Sequence, residues 1–248
     1  MMPEFTNIPL WQQRSALLLK PENLELLSKA HVLVVGIGGV GAYAAEFICR
    51  AGVGRITIAD GDCIDPTNRN RQLPALTSTE KKSKVEVMAN RLKDINPEVQ
   101  INPIFRFLKD EVTDEVLAPG FDYVVDAIDA LSPKVALISK TLKLNYPLVS
   151  SMGAGGKFDP TGVKIADISK TCHCPLARAI RKRLHRQDIY AGFQAVFSPE
   201  EVPGHAIYSY EEKDGKSGSV VGTVSYMPAV FGCCCASVVI RGLIKPVQ

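Results

Sequence analysis

The chain has 248 residues, of which 46% are hydrophobic and 22% charged, with a formal net charge of +3. This is ordinary globular composition, so wholesale disorder is excluded and a core of useful size is expected. A net charge so near zero selects no partner by itself, although its distribution does: residues 157–186 hold eight Lys/Arg against two acids, and residues 187–214 hold six acids against one base.

Residues 31–36 (HVLVVG) form a short apolar run closed by glycine, which predicts a strand buried on both faces. Apolar residues at Val40, Tyr43, Ala44, Phe47, Ile48 and Ala51 then recur at helical spacing. Residues 55–59 (RITIA) predict a second strand that ends at Asp60. Residues 80–94 predict a helix with Val85, Met88 and Leu92 on one face. Further strands are expected at 99–104, 123–127 and 147–150, with a helix from about 133 to 144. This alternation implies βαβ units and a Rossmann-like, doubly wound α/β fold, mostly parallel, with ligands at the carboxyl ends of the strands.

After Ser151 the pattern changes. Residues 151–162 are rich in Gly, Asp and Pro and read as loop, followed by a basic helix, two or three strands and a last apolar helix near 228–243. The expectation is one domain over 1–248 with an antiparallel C-terminal extension. Its nucleotide-binding part is about 11–156 and its substrate-facing part about 157–248. The charge-free run Ser217–Ile240 has the length of a membrane span. Pro228, Gly218, Gly222 and Gly232 interrupt it, so a buried strand and helix are expected, and no stable membrane insertion.

Gly36, Gly38, Gly39 and Gly41 (GIGGVG) directly follow the first strand and open a helix. Glycine there permits a tight turn and lets the backbone approach a phosphate, which the helix N-terminus attracts. Asp60, ending the next strand, is placed to bind ribose hydroxyls. Asp62, Asn68, Arg69, Arg71 and Lys84 follow closely. Two arginines and a lysine near phosphates suit a triphosphate better than a nicotinamide dinucleotide, because they neutralise charge shed as pyrophosphate leaves. Asp126 and Asp129 (DAID) end a strand at the same sheet edge. Such carboxylates are candidate Mg²⁺ anchors, Asp129 the stronger and Asp126 the weaker, with a cap or loop role as the alternative for both.

As a set, GIGGVG, D-x-D…N-R-N-R-Q, Lys84 and D-A-I-D resemble the adenylation domain shared by ubiquitin-activating, molybdopterin-synthase-activating and thiamine-sulfur-carrier-activating enzymes, the ThiF superfamily. The resemblance implies that Asp60 binds ribose, that Asn68, Arg71 and Lys84 hold phosphates and that Asp129 holds Mg²⁺. It further implies that Arg14 reaches the partner's ATP in a homodimer. Carrier-protein activators commonly hold zinc through two C-x-x-C pairs, which this chain lacks. The second half (PLV, GAGGKFDPT, DISKT, PLAR and RKRL) is instead similar to the tRNA threonylcarbamoyladenosine dehydratase branch. Members of that branch adenylate the threonyl carboxylate of the modified adenosine, and the neighbouring carbamoyl nitrogen then closes a ring as AMP leaves. The implied cofactors are ATP and Mg²⁺ without zinc. The implied partners are a tRNA carrying threonylcarbamoyladenosine, a second copy of the chain and a sulfur-transfer protein.

Arg178, Arg181, Lys182, His185 and Arg186 share one helical face that can track a phosphate backbone, with a solvated basic face as the plainer reading. Phe158 and Tyr190 are the only aromatic candidates for base stacking near this segment. With no export signal visible (Glu4 and no apolar run at the start), the seven cysteines read as thiols of a reducing, cytoplasmic compartment. Two rival functions stand beside the dehydratase: an activator of a sulfur-carrier protein with Cys172 or Cys174 as acyl acceptor, and a non-catalytic nucleotide-binding scaffold. Relatives of the dehydratase type often carry a cysteine where this chain has Ser217-Gly218-Ser219, so a thiol step there is not expected.

Overall fold

A computed structural model describes residues 8–211 and 217–247. Its strands are β1 (His31–Val35), β2 (Arg55–Ala59), β3 (Gln100–Ile104), β4 (Tyr123–Asp126), β5 (Leu148–Ser151), β6 (Lys164–Asp167) and β7 (Gln194–Phe197). They form one seven-stranded sheet of order β3-β2-β1-β4-β5-β7-β6, in which only β6 runs antiparallel to its neighbour. Two further strands, β8 (Ile207–Glu211) and β9 (Ser217–Val221), pair antiparallel as a separate ribbon.

The β-branched runs are strands because both of their faces are covered. Val32 and Val34 of β1 enter one apolar cluster with α3 (Gly41–Arg50), α4 (Lys84–Ile95) and α8 (Tyr226–Leu243). Leu33 and Val35 enter the other, with α5 (Asp110–Leu117), α6 (Leu131–Lys143) and α7 (Pro175–His185). Two short helices, α1 (Gln13–Leu19) and α2 (Pro21–Lys29), precede β1 and pack Ala16, Leu24 and Leu27 into the first cluster. Each fully buried aliphatic side chain stabilises the fold by about 1.5–3 kcal/mol relative to exposure.

Several elements differ from expectation. α1, α2 and α5 were not foreseen, and the C-terminal part holds four strands. The chain breaks between α1 and α2 because Lys20 takes φ 69° and Pro21 then opens the second helix. Helix α4 begins at Lys84, later than the apolar spacing suggests, because Ser83 caps it and Lys81 just before takes φ 64°. The long apolar run does split into a strand (β9) and a helix (α8). By length and composition α8 is the one described helix that could cross a membrane; here it buries Met227, Phe231, Cys235 and Val239 within the fold.

The chain steps outward from β1 through β2 to β3, then returns to the far side of β1 as β4. Loops leaving β1 and β4 therefore diverge, and a crevice opens at their carboxyl ends.

Candidate functional site

A cavity of about 1060 Å³ fills that crevice. It is lined at one end by the loops after β1, β2, β3 and β4, and at the other by the loops after β5 and β7 and by residues of β9.

At the first end, Gly36 leaves β1 with φ 87°, and its N–H donates to Ala59 O at 2.8 Å. A Cβ on Gly41 would lie 1.8 Å from Gly36 O, so the turn into α3 closes only with glycine at that position. Gly36, Gly38 and Gly39 line the cavity, whereas Gly41 stands behind them. Asp60 accepts from the Ile37 N–H at 2.6 Å and from the Asp62 N–H at 2.8 Å, and thereby fixes the glycine turn to the end of β2. Burial pushes the Asp60 carboxyl up, while the Lys84 ammonium and the two N–H donors pull it back.

Lys84 is buried at the start of α4, and its Nζ lies 2.8 Å from Asp62 Oδ2. Arg71 is half-buried and lines the cavity; its guanidinium donates to Thr67 O at 3.1 Å and to Asn70 Oδ1 at 2.9 Å, without an ion-pair partner among the described residues. Asp129 is exposed on the cavity wall and likewise makes no ion pair among the described residues. A triphosphate entering this end would meet one guanidinium held only by neutral acceptors, one ammonium held by a single carboxylate, and the N-terminus of α3.

Some expected residues lie elsewhere. Asn68 is outside the cavity lining; its Oδ1 accepts from the Asp65 N–H at 3.2 Å and shapes the turn that carries Arg71. Asp126 requires a correction. It is fully buried, with Nζ of the equally buried Lys134 at 2.9 Å and Ser150 Oγ at 2.6 Å from Oδ2, so it has no free face for Mg²⁺. Arg14 is exposed on α1 and is not among the residues that line the cavity.

The Asp126–Lys134 pair is a feature that sequence reasoning missed. Lys134 Nζ also donates to Ile128 O at 2.8 Å, and Asp126 Oδ1 accepts from the Ile128 N–H at 3.1 Å. Both polar groups of Ile128, the residue before Asp129, are thus clamped from below. The only available signal was an apolar helix interrupted by a lysine five residues past the DAID motif, which reads equally well as a surface charge. Arg106 and Phe107, after β3, also line the first end and were missed, although the end of a parallel strand at this edge is where a ligand residue belongs.

On α7 the structure places Arg178, Lys182, His185 and Arg186 in solvent, and none of the three basic residues forms an ion pair among the described residues. Arg181 is the exception and corrects the expected stripe. It is half-buried beside the apolar Ala177–Ile180–Leu184 face, and its guanidinium donates to the carbonyl and hydroxyl of Thr171. Arg183, not part of that stripe, donates to Ser132 Oγ at 2.8 Å and with Arg186, Lys140 and Lys143 borders a groove between α6 and α7. Phe158 and Tyr190 are both exposed; Phe158 meets Tyr226 edge-on and Tyr190 leans on His185.

All seven cysteines are free thiols. Burial pushes the Cys49 thiol up to about 12 and Cys235 higher still, which makes both inert packing groups. Cys172 is exposed, and Cys174 is buried against the cavity wall. Among the described residues no three His, Cys, Asp or Glu side chains cluster as a metal cage.

Comparison with known proteins agrees with this architecture. The chain is 39% identical to a tRNA threonylcarbamoyladenosine dehydratase of Bacillus subtilis over 95% of both chains. It is 43% identical to the Escherichia coli protein of that name, over 70% of this chain and 66% of that one. A crystal structure of the E. coli enzyme in complex with ATP superposes with a TM-score of 0.85 at 34% identity, covering 96% of this chain and 97% of that one. The sequence model of the ThiF family matches residues 12–247, so the chain belongs to the ThiF family.

Proposed function

We propose that this chain is an ATP-dependent tRNA threonylcarbamoyladenosine dehydratase. The observation that carries the proposal is a single cavity that joins a phosphate-binding end (glycine turn, Arg71, Lys84) to a separate end lined by the loop after β5 and by β9. A hydride-transfer site needs the glycine turn but not Arg71 and Lys84 beside it, and a mere nucleotide sensor has no need of the second end.

In this reading ATP lies with its ribose at Asp60 and its phosphates between the glycine turn, Arg71 and Lys84. An oxygen of the threonyl carboxylate attacks the α-phosphorus, and the bond to pyrophosphate breaks. Arg71 and Lys84 offset the charge that develops on the departing group. For Lys84 this means exchanging its bond to Asp62 for one to a phosphate. The acyl adenylate then reacts internally: the carbamoyl nitrogen attacks the acyl carbon and loses its proton, and AMP departs with the former carboxylate oxygen. Because that nucleophile is tethered to the substrate, high effective molarity replaces enzyme covalent catalysis.

Mg²⁺ suits the donor set, since it takes one or two carboxylates plus phosphate oxygens rather than an all-protein cage, and Asp129 supplies one unpaired carboxylate on the cavity wall. When bound it would neutralise phosphate charge.

A homodimer completes the site in this proposal. Arg14 is exposed outside its own cavity, beside Leu10 and Leu18, which are 88% and 68% exposed. Mixing Arg14→Ala with Asp129→Ala under subunit exchange should restore one competent site per heterodimer; no recovery would remove the second copy from the mechanism. The tRNA would lie along Arg178, Lys182 and Arg186, and a chain acting on tRNA would work in the cytoplasm.

The rival carrier-protein activator keeps one specific observation, the position of Cys174 on the cavity wall. The test is nucleoside mass spectrometry of tRNA incubated with protein and ATP. The dehydratase reading expects threonylcarbamoyladenosine to lose the mass of one water, with Cys174→Ser equally active. An unchanged nucleoside would overturn it.

A further inference from the structure

Among the described residues three lysines are buried: Lys84, Lys134 and Lys157. The first two have carboxylate partners, Asp62 and Asp126. Lys157 has none among the described residues. It is 3% exposed, it lines the cavity, and its ammonium donates to the backbone carbonyl of Glu200. The carboxylate of Glu200 is the natural partner nearby, yet it is engaged elsewhere: it accepts from the N–H groups of Phe158 and Asp159 at 3.0–3.1 Å and from Ser198 Oγ at 3.3 Å. A buried ammonium with three donors and only a carbonyl beside it is an uncompensated charge, which a fold retains at a cost unless an anion completes it.

The topology indicates which anion. Lys157 lies in the loop six residues beyond β5, which is two strands from β1, so about 10 Å separates the strand that leads to it from that of the glycine turn at the usual interstrand spacing. The phosphate end already has Arg71, Lys84 and the α3 N-terminus. The acceptor end of the cavity, which Lys157 lines, is otherwise apolar or neutral at Met152, Cys174, Leu176, Val202 and Val221. We propose that Lys157 forms a carboxylate subsite, receiving the carboxylate of the acceptor and holding it for attack on ATP. This rests on the adenylation reading above.

An anticodon stem-loop carrying threonylcarbamoyladenosine as the free acid, and the same stem-loop as its methyl ester, provide the probes. Wild-type protein should bind the acid about 10–100-fold more tightly than the ester, the usual size of a hydrogen bond to a charged group. Lys157→Gln and Lys157→Met should bind both alike, whereas Lys157→Arg should keep the preference, and ATP affinity should be unchanged in all three. An acid preference in Lys157→Gln equal to wild type would overturn the proposal. So would loss of ATP affinity with the preference intact, which would assign Lys157 to a phosphate. If both neutral variants fail to fold or to bind ATP, Lys157 is a structural tie to the Glu200 loop and the proposal falls. Turnover of the acid stem-loop by wild-type protein is scored separately: absence of AMP overturns the dehydratase reading, while the acid-to-ester ratio still reports on the cation.

Discussion

The two ends of the cavity are built differently. The nucleotide end rests on the carboxyl termini of parallel strands, and nearly every polar group that shapes it is tied down: Asp60 to two backbone N–H groups, Lys84 to Asp62, Ile128 to Asp126 and Lys134. The acceptor end is made of loops and a two-stranded ribbon that, among the described residues, pairs with no other strand, and its buried cation Lys157 has no carboxylate partner among them. The first end is preorganised for a ligand of fixed shape. The second leaves polarity unsatisfied where a larger, variable substrate must supply part of the site. Catalysis by positioning requires the former, and recognition of a nucleic acid tolerates the latter.

The most severe way to break this contrast is to remove the clamp beneath the nucleotide end. Lys134→Met leaves Asp126 as an unpaired buried charge and should cost about 3–5 kcal/mol in denaturant unfolding. The double substitution Lys134→Met with Asp126→Leu should recover most of that stability and still release AMP slowly, because the turn before Asp129 is no longer held. A fully active double variant would show the clamp to be structural only. Next in size, Arg71→Ala should lower the rate of AMP formation by about 2–4 kcal/mol of transition-state stabilisation while leaving the melting temperature nearly unchanged.

At the other end the expected effects are smaller and depend on salt. Reversing Arg178 and Lys182 to glutamate should flatten the plot of log tRNA affinity against log salt by about 0.7–0.9 per lost phosphate contact, with ATP affinity preserved. Arg181→Ala should leave that slope alone, because its guanidinium is turned toward Thr171. A slope that responds to Arg181 and not to Arg178 or Lys182 would move the contact surface inward.

The smallest effect lies far from both ends. Glu46 of α3 pairs with Arg50 of the same helix and with Arg91 of α4, which joins the two helices; burial pushes its carboxyl up, but the two guanidiniums outweigh burial and hold it below its ordinary value. A lowered carboxylate contributes stability above its unfolded pKa of about 4.3 and loses it as pH falls through the lower folded value. Glu46→Gln should therefore be about 0.5–1 kcal/mol less stable than wild type at pH 7, since both arginines are half-exposed, and the two should converge as pH falls through the lowered folded value. A constant difference across that range would show that packing, not charge, joins the helices.

The two ends also differ in how far the sequence reveals them. Parallel strands buried on both faces leave continuous apolar runs, and a glycine turn or an Asp near a strand end has a fixed offset from them, so Gly36, Asp60 and Asp129 could be placed at the sheet edge in advance, whereas Lys84 is assigned to the phosphates by the family resemblance. The buried clamp could not, because Lys134 in an amphipathic helix reads as surface until its depth is known. Lys157 was hidden for a related reason: a basic residue in a Gly-rich loop suggests solvent, and only the folded position of Glu200 shows it enclosed. Arg181 misled through spacing alone, since residues at the border of a helical face can turn either way.

The central claim is that the cavity activates a carboxylate by adenylation, and isotope transfer tests it most directly. With threonylcarbamoyladenosine in tRNA labelled with ¹⁸O in the threonyl carboxylate, each turnover should move one labelled oxygen into the phosphate of AMP, with unlabelled pyrophosphate as the other product. Unlabelled AMP, or formation of ADP and phosphate, would contradict the account.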